Sequence, residues 1–388
     1  MKVTKHKGAI LIALGTASLV FGGVSIANES RDKDRDNDNG IGDPRFVGIS
    51  SEPACNTTIM ASTGGPTARN PKTLVIRWMG YTNYELIYGD KIILLDQYYA
   101  RAGTQYKDLG FTPDQVTRAD LMIVGHAHYD HMSDTAQVGA QTGAPILGAP
   151  ITIGKLMTQP VNPKQLVTVT GTDGKILRYP HIGITVQPIL GKHGQPPAFT
   201  KAFGTAYGAA MPVPTPSEAA AQAAIQARGS TDPNIITEGT IAYVITFDDG
   251  FRLAYRDSGG IMTADEMAAM DKIGAVDVLL GAVAANDIAE SNAMILLPMV
   301  ENYRPEVYFP GHHEEHTADT VDRATEPLFQ YVKNVFPDTV TISKEFREPT
   351  CFDTSKNLAR GNASHNGLIG NLPSNANLQE WDVQGVFF

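Results

Sequence analysis

A chain of 388 residues, 42% of them hydrophobic, is long enough to bury a large core as one domain or to divide into two. Its formal charge of −10 argues against nucleic acid as a partner, because phosphates reward basic surfaces. The residue pattern shows no repeat array and no coiled-coil heptads, and 37 Gly with 24 Pro imply many turns.

At the N-terminus, Lys2, Lys5 and Lys7 precede an uncharged run from Gly8 to Ile26, and Ser25-Ile26-Ala27 offers a small-x-small cleavage site. Residues 1–27 are therefore expected to be an export signal peptide. An uncleaved anchor is the alternative, since about 19 apolar residues just span a bilayer, but Gly15, Thr16, Ala17, Ser18, Gly22 and Gly23 make it a weak one. Removal takes away three lysines and no acid, moving the formal charge from −10 to −13. The stretch RDKDRDNDNG at 31–40 reads as a polar spacer, so 28–70 is expected to be spacer and N-terminal extension. It lacks the spaced ligands of a calcium loop. The mature chain is expected in the periplasm or outside the cell, with no stable membrane span. In such a compartment Cys55 and Cys351 can form one disulfide joining the two ends of the domain; two unrelated thiols are the alternative.

Strands are expected at 73–79, 84–88 and 91–95, the last two joined by Gly89-Asp90. Thr112-Pro113-Asp114-Gln115 reads as a helix start, with Thr as cap and Gln three residues on. A buried strand at 121–124 follows, then strands at 182–189, 240–247 and 251–255. Beyond these, TADE at 263–266 is a capping box. The alternation continues with strand 276–280, helix 287–302, strand 306–309, helix 320–335 and strand 339–343. Strands first and βα alternation later imply sheets covered by helices on their outer faces. Between 194 and 229 five prolines and an Ala-rich helix opening at Thr215–Glu218 mark an insert of the kind that forms lids.

The densest chemistry is Gly125-His126-Ala127-His128-Tyr129-Asp130-His131, delivered directly by the strand at 121–124. Imidazole and carboxylate are the ligands that zinc and similar divalent ions prefer. His126 and His128, at i and i+2 of an extended chain, point to one side and can share one metal. Asp130 and His131 are adjacent, so the chain must turn there, and they suit a second metal. Tyr129 points away from them and is expected to form core or wall.

This cluster resembles the H-x-H-x-D-H signature of the metallo-β-lactamase superfamily, and the resemblance runs over about residues 71–345. It implies an α/β fold, a four-layer αββα sandwich over 71–350, with 351–388 as a C-terminal extension. Within the superfamily the chain most resembles the branch holding ascorbate-phosphate lactonase and the N-acylethanolamine-phospholipid phospholipase D. The resemblance implies that His193, after the strand at 182–189, completes the first metal site; His181 is the alternative but precedes the strand. It implies that Asp257 is shared by both metals, although Arg256 stands where the family usually has Gly. The last ligand is expected at His312, with His313 or His316 as alternatives. Asp96 is expected to brace the ligand loop, and Asp130 to orient a hydroxide held between two divalent metal ions, zinc by first choice.

The expected function is a binuclear metal-dependent hydrolase of an ester, lactone or phosphodiester, acting on a small-molecule or lipid-like substrate. A β-lactamase-type amide hydrolase, or a non-catalytic metal-binding protein that keeps the fold, is the alternative. His128 stands where flavodiiron members carry Glu, which argues against a redox role. Phe199, Phe203 and Tyr207 in the insert are candidate pocket residues. Glu314 and Glu315 are candidate partners of the last ligand.

Overall fold

The computed structural model describes residues 51–103, 106–194, 213–283, 289–313 and 328–356. The expected signal peptide and spacer, Phe199, Phe203, Tyr207, Glu314, Glu315 and His316 lie outside them. The first sheet contains β1 (Thr73–Trp78), β2 (Tyr84–Tyr88), β3 (Lys91–Leu95), β4 (Leu121–Ile123), β5 (Ile146–Gly148), β6 (Leu166–Thr168) and β14 (Pro349–Asp353). The second contains β7 (Leu177–Tyr179), β8 (Ile184–Leu190), β9 (Ile241–Phe247), β10 (Arg252–Arg256), β11 (Val278–Ala282), β12 (Val307–Gly311) and β13 (Val340–Thr341). Their orders are β14-β1-β2-β3-β4-β5-β6 and β13-β12-β11-β10-β9-β8-β7.

Each sheet is antiparallel on one side and parallel on the other. Antiparallel pairs run from β14 to β3 and from β7 to β10; β3 to β6 and β10 to β13 are parallel. The period-two pattern explains the layering. Tyr243, Ile245, Leu253, Tyr255, Leu280 and Phe309 join the core that the first sheet also lines. Their neighbours Val244, Ala254, Leu279 and Tyr308 face Met270, Leu296, Met299 and Tyr303 of the covering helices. Both faces of these strands are therefore buried, and the chain is an αββα sandwich of metallo-β-lactamase type. Among the described residues no helix is long and apolar enough to cross a membrane.

Strands fall close to where periodicity places them; β2 and β3 match to the residue. The Thr112 box is different. Thr112 N–H donates to Gln115 Oε1 at 2.9 Å, yet only one 3-10 turn, Pro113–Gln115, forms. Beyond Val116, the amides of Thr117 and Arg118 donate instead to Ser62 O at 3.0 and 3.2 Å, which draws the chain out of helix. The box at Thr215 does open a helix, Pro216–Gln226.

Cys55 and Cys351 are joined by a disulfide that ties the turn Pro53–Asn56 to β14. The same N-terminal segment is held by a buried ion pair: Arg77 Nη1 lies 2.9 Å from Glu85 Oε1. Glu85 also accepts the Ala61 and Ser62 amides, and Arg77 donates to Ala54 O at 2.6 Å. The disulfide closes a loop of 296 residues. Replacing both cysteines by serine should lower unfolding stability by about 2–4 kcal/mol through the freed denatured chain. Urea midpoints with and without reductant check this; the reductant should shift the parent chain and leave the serine variant unmoved.

Candidate metal centre

The site gathers at the carboxyl ends of five strands, where loops leave a sheet still extended. Asp96 follows β3, the His126–His131 stretch follows β4, His193 follows β8, Asp257 follows β10 and His312 ends β12. β8, β10 and β12 run in the same direction, so their ends meet at one edge of the second sheet.

Three groups of ligand atoms converge: His126, His128 and His193; Asp130, His131 and His312; and His126, His131 and Asp257. Within each, the ligand atoms lie within 4.8 Å of one another. In the first, His126 Nε2 and His128 Nδ1 are 3.0 Å apart. The ring of His193 is 4.6 Å, centroid to centroid, from each of theirs. His193 Nδ1 is taken by Gly194 O at 2.5 Å, leaving Nε2 for the cluster. In the second, Asp130 Oδ2 lies 3.5 Å from His131 Nε2 and 3.2 Å from His312 Nε2. Asp257 Oδ2 touches one histidine of each, His126 Nδ1 at 2.5 Å and His131 Nδ1 at 3.5 Å. All seven residues picked out in the sequence are thus brought together. His181 is exposed and outside these groups.

Adjacent His312 and His313 part company for a backbone reason. His312 is in the left-handed region, φ 61°, its amide donating to Tyr81 O at 2.6 Å. This turn sends the two rings apart: His312 reaches Asp130, whereas His313 is buried and stacks on Trp78 with centroids 4.2 Å apart. Burial, then the neighbouring His312, pushes His313 down to about 3.

Asp96, also at positive φ (44°), accepts the Gly125 amide through Oδ1 at 2.9 Å. Its Oδ2 lies 2.5 Å from His131 Nδ1 and accepts Thr82 Oγ1 at 2.7 Å. It thereby fixes the tautomer and direction of a clustered histidine, as carboxylates behind metal ligands do. Nothing in the residue pattern marks Thr82, whose part depends on a contact across the fold.

Arg256 is accommodated because it falls on the outer face of β10, in step with Ala254. Buried there, it pairs with Glu266 (Nε to Oε1 2.8 Å) and donates to Ser258 O at 2.6 Å. Burial alone would lower its pKa; Glu266 outweighs that and holds the guanidinium above its ordinary value. Arg256 therefore bolts down the loop that follows Asp257.

Gly125 has a steric role. A Cβ there would sit 2.0 Å from Asp257 Cγ and Oδ2, so the carboxylate reaches the cluster only past a glycine. Gly125→Ala should displace Asp257 and lower stability by about 1–3 kcal/mol. Chemical unfolding of the variant beside a metal titration would check both.

The electrostatics separate the two groups. Burial, then the surrounding histidines, holds His126 well below the usual imidazole range, and burial lowers His128 as well. His193 is brought down to about 4 by burial, then by His128 and His131. These three are neutral at pH 7, the form that ligates metal. His131 differs: burial lowers its pKa, but Asp130, Asp96 and Asp257 outweigh it and the net shift is upward. Burial would raise Asp130; His131, then His312 and His128, bring it below the carboxylate range. Asp257 is pushed well up by burial and then by Asp96. Its Oδ1 is buried without a hydrogen-bond partner.

The insert touches the site through its described part. Arg228 Nη2 lies 3.0 Å from Asp134 Oδ1, and Ser230 N–H, one residue past the insert, donates to Ala127 O at 2.7 Å. Tyr129 is half-buried edge-on to Tyr98, beside Ile225 of the insert helix, as a wall residue would be.

No family model matches the chain. A curated UPF0173 metal-dependent hydrolase of Desulfitobacterium hafniense is 33% identical over 72 residues, which is 19% of this chain and only 29% of that relative's length. Among solved structures, a metallo hydrolase of the archaeon Ignicoccus hospitalis superposes with a TM-score of 0.50 at 16% identity, covering 72% of this chain and 98% of that one. A possible metal-dependent hydrolase of Veillonella parvula gives a TM-score of 0.47 at 14% identity, covering 71% and 98%. The chain shares the four-layer αββα fold with the Ignicoccus metallo hydrolase, and carries at the loop edge of that fold a His/Asp cluster able to hold metal.

Proposed function

We propose that the chain is an exported binuclear metal-dependent hydrolase that cleaves an ester, lactone or phosphodiester in a small-molecule or lipid-like substrate. One observation carries the reading: two triads of ligand atoms lie side by side, and Asp257 touches one histidine of each.

The residues fit two divalent cations. His126 Nε2 and His128 Nδ1 face each other at 3.0 Å, and Asp257 Oδ1 is a buried acceptor with no donor. A shared cation satisfies such an arrangement. His126, His128 and His193 would hold one ion, Asp130, His131 and His312 the other, and Asp257 would be common to both. Zinc is the first choice, since mixed imidazole and carboxylate donors suit it. Two such ions supply an acidified water and polarise the oxygen of the bond to be cut.

The chain's own residues do the rest. Asp130, held ionised, would accept a hydrogen bond from the water and orient it. Asp96 takes the Nδ1–H of His131 and so keeps Nε2 bare. Burial of His126 and Asp257 excludes bulk water from the inner side. The curated relative's description as a metal-dependent hydrolase supports the class, and the branch with ascorbate-phosphate lactonase and N-acylethanolamine-phospholipid phospholipase D supplies the bonds to try first. The disulfide supports an oxidising compartment outside the cytoplasm.

The test uses the zinc-loaded chain against matched phosphodiester, lactone, simple ester and β-lactam substrates, with and without chelator. Chelator-sensitive turnover of one of the first three classes is expected. Turnover of the β-lactam alone would replace this reading with amide hydrolysis. Silence on every class, with two ions bound, would favour a binding protein.

A further inference from the structure

Three tyrosines buried between the sheets each send a hydroxyl across to a backbone carbonyl beside the site. Tyr243 on β9 donates to Val124 O at 3.0 Å, two residues before His126. Tyr84 on β2 donates to Pro310 O at 2.8 Å, two residues before His312. Tyr255 on β10 donates to Thr82 O at 3.1 Å, and Thr82 Oγ1 bonds Asp96 and lies 2.8 Å from His131 Nδ1. Each bond joins one sheet to the other: β9 and β10 belong to the second sheet and reach the first, while β2 belongs to the first and reaches the second. All three rings are fully buried, and Tyr84 packs edge-on to both Tyr255 and Phe309. At the Tyr84 contact, a Cβ on Gly311 would lie 2.7 Å from the hydroxyl oxygen, so a glycine keeps the approach open.

A core that needed only apolar filling would be served by phenylalanine; a buried hydroxyl is retained where its bond is used. Each triad draws ligands from both sheets, the His126–His131 stretch from the first and His193 or His312 from the second, so bonds that cross between the sheets bear on the spacing within each triad. We propose that Tyr84, Tyr243 and Tyr255 are positioning residues that hold the first-sheet and second-sheet ligands of the centre at their working distance. Tyr243 serves the His126, His128 and His193 triad, while Tyr84 and Tyr255 serve the Asp130, His131 and His312 triad. The inference rests on the binuclear reading above.

The experiment is a zinc titration of the full chain, monitored against a competing chelator, for the parent and for Tyr84→Phe, Tyr243→Phe and Tyr255→Phe. His193→Ala and His312→Ala identify which binding step belongs to which triad. Tyr243→Phe is expected to weaken the step that His193→Ala weakens, by about tenfold, leaving the other step in place. Tyr84→Phe and Tyr255→Phe should weaken the step that His312→Ala weakens, by a similar factor. Thermal midpoints, read in parallel, separate this from a general loss of packing, which would move both steps together. Two intact steps in every Phe variant, or equal shifts in both, overturn the proposal while leaving the binuclear reading in place. A parent chain that takes up fewer than two zinc ions overturns that reading, and the inference with it.

Discussion

Asp257→Asn should abolish uptake of at least one of two metal ions and lower kcat/KM by about a thousandfold, on the order of 4 kcal/mol of transition-state stabilisation. Asn preserves the shape that passes Gly125 but withdraws the charge that both triads would share. The same change should stabilise the metal-free protein. Burial and then Asp96 push Asp257 well above the ordinary carboxylate value. The folded metal-free chain therefore prefers it protonated, and its stability falls as pH rises from the unfolded carboxylate value toward the raised one. A neutral amide escapes that penalty. A variant that unfolds at higher urea yet binds less metal and turns over poorly would separate loss of function from loss of fold. Full activity with two ions bound would remove Asp257 from the site.

Much of this was legible in the chain because the chemistry is local. His126, His128, Asp130 and His131 fall within six residues after an apolar strand, so a period-two argument alone groups them. Asp257 and His193 were reached through a family pattern laid over strand ends, and both sit where those ends predicted. What stayed hidden depends on contacts distant in sequence. The choice between His312 and His313 turns on a positive φ and on stacking against Trp78, which no spacing encodes. Strands β5, β6 and β7 have three residues each, too few for periodicity to register, and their existence rests on pairing across the sheet. β14 (PTCFD) combines Pro and Cys with a single aromatic residue and becomes a strand only beside β1. It runs across position 350, where the extension was expected to begin. The tyrosine hydroxyls and Thr82 belong to the same class: ordinary residues given a part by the opposite sheet.

Affinity for the pair of metal ions should fall steeply with acid, by about a hundredfold for each pH unit below the raised pKa values, from one proton on each of two groups. His131 is held above the ordinary imidazole value once Asp130, Asp96 and Asp257 outweigh its burial, and Asp257 above the carboxylate value by burial and Asp96. Both must lose a proton before they ligate, so protons compete with metal at these two positions. His126, His128 and His193 are lowered, chiefly by burial, and enter the reaction already neutral. They add nothing to the slope near pH 7, and His193 titrates only at about 4. The metal-free fold should show both signs in its stability. The raised His131 contributes stability below pH 6.5 that disappears as pH climbs through its folded value. The lowered histidines cost stability as pH falls from 6.5 toward 4, because the unfolded chain takes up protons the folded one refuses. Calorimetric zinc titrations at pH 6, in two buffers of different ionisation enthalpy, count the protons released. Net proton release is expected; uptake of both ions with no proton release would mean that His131 and Asp257 do not ligate, and that the three-histidine group binds metal without them.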